Sequence, residues 1–164
     1  INVKLQEIEK SLQLWISGAK RVVIAGVGGP LRRDDFVGVQ IIRNLRKRVS
    51  RAVYLIECET VPESFIEPIS EFKPTHVLII DAAMLGLEPG SIRLIEPQKI
   101  AGEAVSTHAL PLRIFSEYLT RTTGAKISLL AIQPKDTSFG GGLTKELKEA
   151  VKNLTSLLVE ILPK

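Results

Sequence analysis

Thr75-His76-Val77-Leu78-Ile79-Ile80-Asp81 decides the fold. Val77 to Ile80 are all aliphatic, with no polar side chain alternating between them. A strand with one wet face would alternate; an unbroken run predicts a strand covered on both faces, as in a parallel sheet between helices. The run stops at a carboxylate, Asp81, placing an acid at the carboxyl end of a central strand.

Working outward, residues 52–58 and 21–26 read as two further strands, the second a β-branched run ending in Gly26. Residues 34–49 between them predict a helix, with Val37, Ile41, Leu45 and Val49 on one stripe. Residues 62–72 predict a short helix with Pro62 early, where its missing N–H is harmless. Downstream, Pro89-Gly90 marks a turn and residues 91–95 an extra strand. Residues 108–119 then predict a helix and 126–132 a fifth strand. Residues 143–162 close as an amphipathic helix through Leu147, Val151, Leu154, Leu158 and Ile161. Residues 3–18 carry helical spacing at Leu5, Ile8, Leu12, Trp15 and Ile16, with Gly18 as the stop. Strands alternating with helices imply an α/β fold: a three-layer αβα arrangement with a mostly parallel, five-stranded twisted sheet and helices on both faces. Residues 1–20 are expected as an N-terminal helical extension and 21–164 as a single α/β domain. The helical stripe at 3–18 needs a partner surface to pack on.

The 164 residues carry a formal charge of +4, with 45% apolar and 24% charged residues, as in ordinary globular chains. One cysteine, Cys58, excludes an internal disulfide. Two histidines, His76 and His108, exclude Cys-rich zinc ribbons, zinc fingers and three-histidine centres, so any metal site must lean on carboxylates. The first residues carry charges early and show no signal peptide. No uncharged apolar stretch is long enough to span a bilayer, so a cytoplasmic protein without membrane insertion is expected.

In open α/β sheets, ligands bind outside the carboxyl ends of the strands. Three polar features fall there: the loop after the first strand, Gly26-Val27-Gly28-Gly29-Pro30-Leu31-Arg32-Arg33-Asp34-Asp35; Asp81; and the loop Ser106-Thr107-His108. With parallel strands, Asp35, Asp81 and His108 can share one edge of the sheet. Two carboxylates and one imidazole suit a borderline divalent ion and would leave coordination positions open. Simpler readings stand beside this one. Asp34 and Asp35 fit the first turn of a helix, where acids meet the positive dipole end. A single histidine is more often structural than a ligand. His76, at the opposite sheet edge, is read as structural. Gly26, Gly28 and Gly29 invite a dinucleotide loop, but Leu31 stands where the third glycine belongs. The glycines also serve a sharp turn and a close backbone approach.

Taken in order, these segments resemble the nickel-iron hydrogenase maturation endopeptidases. The matching motifs are Gly26-x-Gly28-x-x-Leu31-x-x-Asp34-Asp35-x-x-Gly38, Pro62-Glu63, Ile80-Asp81-Ala82, Thr107-His108-x-x-Pro111-Leu112 and Ile132-Gln133-Pro134, spread over residues 21–162. The branch that processes the large subunit of formate-hydrogenlyase-type hydrogenases is the most similar. The resemblance implies an endopeptidase that cuts a C-terminal extension from the hydrogenase large-subunit precursor once nickel is in place. It also implies that Asp35, Asp81 and His108 contact that nickel, which the precursor supplies, and serve as the catalytic set. A non-catalytic, nickel-dependent checkpoint that binds the same precursor is the competing expectation. Cys58 and Glu59 stand where the family tends to have a glycine pair. Cys58 can serve as a soft ligand but is expected rather as a small buried residue, while Glu59 can add a carboxylate to the cleft. The basic run Arg43, Arg46, Lys47, Arg48 and Arg51 reads as a solvated helix end, without the interleaved aromatics of a nucleic-acid surface. No nucleic-acid partner is expected, and a monomer is favoured.

Overall fold

The computed structural model describes residues 3–59, 63–99 and 108–164. Pro62 and the Ser106-Thr107 stretch lie outside the described residues. Five strands form one sheet: β1 (Val22–Val27), β2 (Val53–Cys58), β3 (His76–Ala82), β4 (Ile92–Ile95) and β5 (Lys126–Ile132), in the order β2-β1-β3-β5-β4. The pairs β2–β1, β1–β3 and β3–β5 are parallel, and β4 closes the edge antiparallel to β5. The helices are α1 (Val3–Ile16), α2 (Val37–Leu45), α3 (Ile66–Phe72), α4 (Ala109–Thr123) and α5 (Lys145–Ile161). Among the described residues no helix is long and apolar enough to cross a membrane.

The unbroken apolar run in β3 is explained by its two covers. Leu78 and Ile80 enter one cluster with Ile41 and Leu45 of α2 and Leu154 and Leu158 of α5. Val77 and Ile79 enter a second cluster with Ile69 of α3 and Leu112, Phe115 and Leu119 of α4. Each such buried aliphatic side chain contributes about 1.5–3 kcal/mol of transfer free energy. The stripe of α1 buries Ile8, Leu12 and Trp15 in the first cluster, with Val22 and Ile24 of β1.

Two element ends differ from the sequence reading for local reasons. The helix expected over 34–49 begins as a 3₁₀ turn at Arg33–Phe36 and stops at Leu45. Arg46 turns extended and Lys47 takes a left-handed conformation, reversing the chain toward β2; Val49 still packs on the core from outside the helix. At the other end of the chain α4 runs to Thr123, where Gly124 at φ 69° supplies the left-handed cap.

Gly26 and Gly38 set the depth at which α2 sits. A Cβ on Gly38 would lie 2.3 Å from the Ile80 carbonyl oxygen, and one on Gly26 would lie 2.4 Å from the Gly38 carbonyl oxygen. The first turn of α2 therefore rests directly on the ends of β1 and β3. Gly38→Ala is expected to destabilise the protein by about 2–3 kcal/mol, since backbone on the facing side must move. Urea unfolding measures this, and an unchanged midpoint would contradict the close approach.

His76 occupies the amino end of β3, 6% exposed, its ring edge-on to Trp15 at 5.0 Å. Burial pushes its pKa below the ordinary imidazole value; a hydrogen bond with the Trp15 backbone opposes this and the Lys126 charge adds to it. The folded state thus prefers neutral His76, and the unfolded chain binds the proton more readily. Stability supplied by His76 is present above about pH 6.5 and declines as pH falls from there toward the lowered folded value. His76→Phe keeps a packed ring without titration. Its stability relative to wild type is expected to improve between pH 7.5 and 5.5 in urea titrations; a constant difference would refute the assignment.

Candidate active site

The site is built where the connections diverge, at the carboxyl ends of β1 and β3. β1 leads to α2 on one face, whereas the chain after β3 reaches α4 on the other, so the connections part at these two strand ends. Register places Gly26 of β1 beside Ile80 of β3, so Asp81 stands one residue beyond that pairing. On its other side Asp81 pairs with Ala131 of β5, and its side chain is almost fully buried.

His108 lies at the start of α4 and turns toward that carboxylate. Its Nδ1 is 3.2 Å from Asp81 Oδ2. A carboxylate only accepts, so Nδ1 carries the proton in this contact. The hydrogen bond that Nδ1–H donates to Asp81 holds the imidazole above its ordinary pKa, against the opposing effect of burial; the charges of Asp81 and Asp35 add to the rise.

Asp35 reaches the same edge by a tight turn. Gly28 has φ 141°, and a Cβ there would fall 1.7 Å from the Asp35 carbonyl oxygen, so only glycine fits beneath it. The next residue, Gly29, donates its N–H to Asp35 Oδ2 at 3.0 Å. The glycine loop is therefore filled from within by the acid, and the N–H that a phosphate would need is given to a carboxylate. This weakens the dinucleotide reading in physical terms.

Asp34 does something different from Asp35. It is completely buried and anchors the loop between β5 and α5. Lys135 N and Asp136 N donate to its Oδ2 at 2.9 and 3.0 Å, Thr144 N donates to Oδ1 at 2.8 Å, and the Thr144 hydroxyl lies within 3.0 Å of both oxygens. The sequence reading assigned Asp34 only to a helix dipole. Its partners stand 101 to 110 positions away, so no local signal could reveal them. Gln133 is a second residue whose role the sequence left blank. Its Oε1 accepts from Leu85 N at 2.6 Å, and its Nε2 donates to the Pro134 carbonyl, tying the segment after β3 to the end of β5.

Asp81 and His108 are thus drawn into direct contact, and Asp35 acts on His108 through its charge. Among the described residues no three of His, Cys, Asp and Glu are gathered closely enough to hold a metal ion. What the described residues offer here is a carboxylate–imidazole pair with a second acid acting on the ring by its charge. Cys58 is half-buried and its Sγ lies 3.3 Å from the Gly26 carbonyl oxygen, as a weak donor would. Glu57 pairs with both Arg43 and Arg46, so part of the basic run is used inside the molecule.

The HycI family model, described as hydrogenase maturation protease, matches residues 39–161. The hydrogenase 3 maturation protease of Escherichia coli K12 is 32% identical over 133 residues, covering 80% of this chain and 85% of that protein. A crystal structure of a [NiFe] hydrogenase maturation protease HycI from Thermococcus kodakarensis superposes with a TM-score of 0.85 at 39% identity, over 93% of this chain and 98% of that one. The solution structure of an endopeptidase HycI from Escherichia coli superposes with a TM-score of 0.74 at 31% identity, over 83% and 87% of the two chains.

Proposed function

The chain belongs to the hydrogenase maturation protease family, and from that premise we propose that it removes a C-terminal extension from the nickel-loaded large-subunit precursor of a nickel-iron hydrogenase. The observation that carries this reading is the Asp81–His108 hydrogen bond at the carboxyl edge of the sheet, with the charge of Asp35 acting on the same ring. Nickel enters as part of the substrate. A carboxylate and an imidazole are donors suited to such a borderline ion, and a set that is not closed on its own suits a metal held mainly by another protein.

In this reading Asp81 orients His108 and keeps the proton on Nδ1, so contact with the precursor falls to the Nε2 side of the ring. With Nδ1–H given to Asp81, the neutral ring presents its Nε2 lone pair to the precursor's nickel; protonation of the ring, which the bond to Asp81 favours, would close that donor. Asp35, seated on Gly29 N–H, supplies a second carboxylate of fixed direction. Peptide hydrolysis adds water across one amide bond: the hydroxyl stays on the new carboxyl terminus and the proton goes to the departing amine.

The test is cleavage itself. The protein is incubated with nickel-loaded precursor, and the intact mass of the large subunit is followed. Loss of a defined C-terminal piece is expected. A stable complex with unchanged precursor mass would instead identify a checkpoint that binds without cutting.

A further inference from the structure

Resting on that reading and adding a recognition surface to it, we propose that Leu31 and Phe139 form an apolar brim that docks an apolar side chain of the precursor, in the extended segment that carries the scissile bond. Phe139 is 80% exposed and Leu31 is 60% exposed, although both are large and apolar. Exposed apolar side chains that are gathered and held in place mark a contact surface more than scattered single ones do.

These two are held. Leu31 belongs to the β1–α2 loop and Phe139 to the β5–α5 loop, and the loops are stitched together by backbone pairing. Gly140 N donates to the Leu31 carbonyl at 2.9 Å, Arg33 N donates to the Gly140 carbonyl at 3.1 Å, and Arg32 and Gly140 form a parallel bridge. Arg32 Nε also donates to the Thr137 carbonyl, and the Arg33 side chain packs across Gly140 where a Cβ would be. Asp34 fixes the base of the same loop pair. The two apolar tips are thus presented by ordered backbone, so little conformational freedom remains to be lost on binding.

The occupant follows from continuity with the acid edge. Leu31 lies four residues before Asp35 on one tight loop, so the two are at most about 14 Å apart along the chain. A precursor that brings its nickel-bearing end to Asp35 therefore comes within reach of Leu31. The chain just after Phe139 is also open: a Cβ at Gly141 or Gly142 would meet nothing within 4 Å. An extended peptide can therefore come down close to the backbone there. An apolar partner side chain fits the tips, because desolvating Leu31 and Phe139 stabilises only an apolar contact.

The experiment measures cleavage of nickel-loaded precursor by wild type, Leu31→Ala, Phe139→Ala and the double variant, with Leu14→Ala as control. Leu14 is 77% exposed on α1 and belongs to neither loop. Each brim variant is expected to raise KM about tenfold, and the pair more, with kcat nearly unchanged. Leu14→Ala should match wild type, and thermal melting should show all variants folded. Sedimentation of the free protein is run in parallel. Unchanged KM in the double variant, with wild type active, would overturn the brim while leaving the proteolytic reading intact. A wild-type dimer that becomes monomeric in the brim variants would also overturn it, assigning the surface to a second copy of this chain. Absence of cleavage by wild type would sink the underlying reading instead.

Discussion

Asp34→Ala is expected to lower the unfolding free energy by about 3–5 kcal/mol, the range for breaking a buried charged network by removing one partner. The carboxylate takes three backbone N–H groups and the Thr144 hydroxyl, all from a segment more than 100 residues away. Removing it leaves those donors without their acceptor in the interior, and each orphaned group costs about 1–3 kcal/mol. Asp34→Asn is expected to do nearly as much damage, although it conserves shape. Backbone N–H groups point at both oxygens, so whichever side receives the amide nitrogen sets donor against donor. Thr144→Val should cost much less, because the Thr144 N–H remains. Urea unfolding of the three variants measures the order. A wild-type midpoint for Asp34→Asn would show that the carboxylate is not the anchor.

Asp81→Asn and His108→Gln are each expected to reduce kcat/KM for precursor cleavage by about a hundredfold or more, the scale of positioned acid–base groups. The pair acts as a unit, because Asp81 sets which nitrogen of His108 holds the proton and raises the ring's affinity for it. The double variant should therefore be no worse than the poorer single variant, rather than showing the product of two losses. Single-turnover cleavage followed by intact mass gives the rates, and circular dichroism checks that each variant folds. Near-wild-type turnover in either single variant would remove that residue from the chemistry.

What could be read from the sequence follows the reach of its signals. The apolar run before Asp81 foretold a strand covered on both faces, and the two clusters around β3 provide those covers. Parallel strands require the ends of β1 and β3 to share an edge, which is why the sequence alone can bring Asp81 and the start of α4 together. Strand β5 was legible to its end residues, because a dense apolar run is bounded by Gly124 and Pro134. Long-range side-chain bonding was not legible. Asp34 and Asp35 are adjacent acids with the same local pattern, yet one is a buried anchor and the other tops a glycine turn. Only the fold, by laying residues 135–144 across the β1 loop, separates their roles. Helix α2 shows the same limit: its apolar stripe continues to Val49, but the chain must reverse after Leu45 to reach β2, and Lys47 takes the left-handed turn within a run of cations.

The Asp81–His108 pair and Asp35 are proposed to meet nickel carried by the precursor rather than a metal of the protease itself. The most direct test compares cleavage of nickel-loaded and metal-free precursor side by side, using protease stripped of metal by chelation and then freed of chelator. Cleavage of the loaded form alone is expected, with no nickel added to the protease. Equal cleavage of both forms, or a requirement for metal on the protease before either is cut, would contradict it.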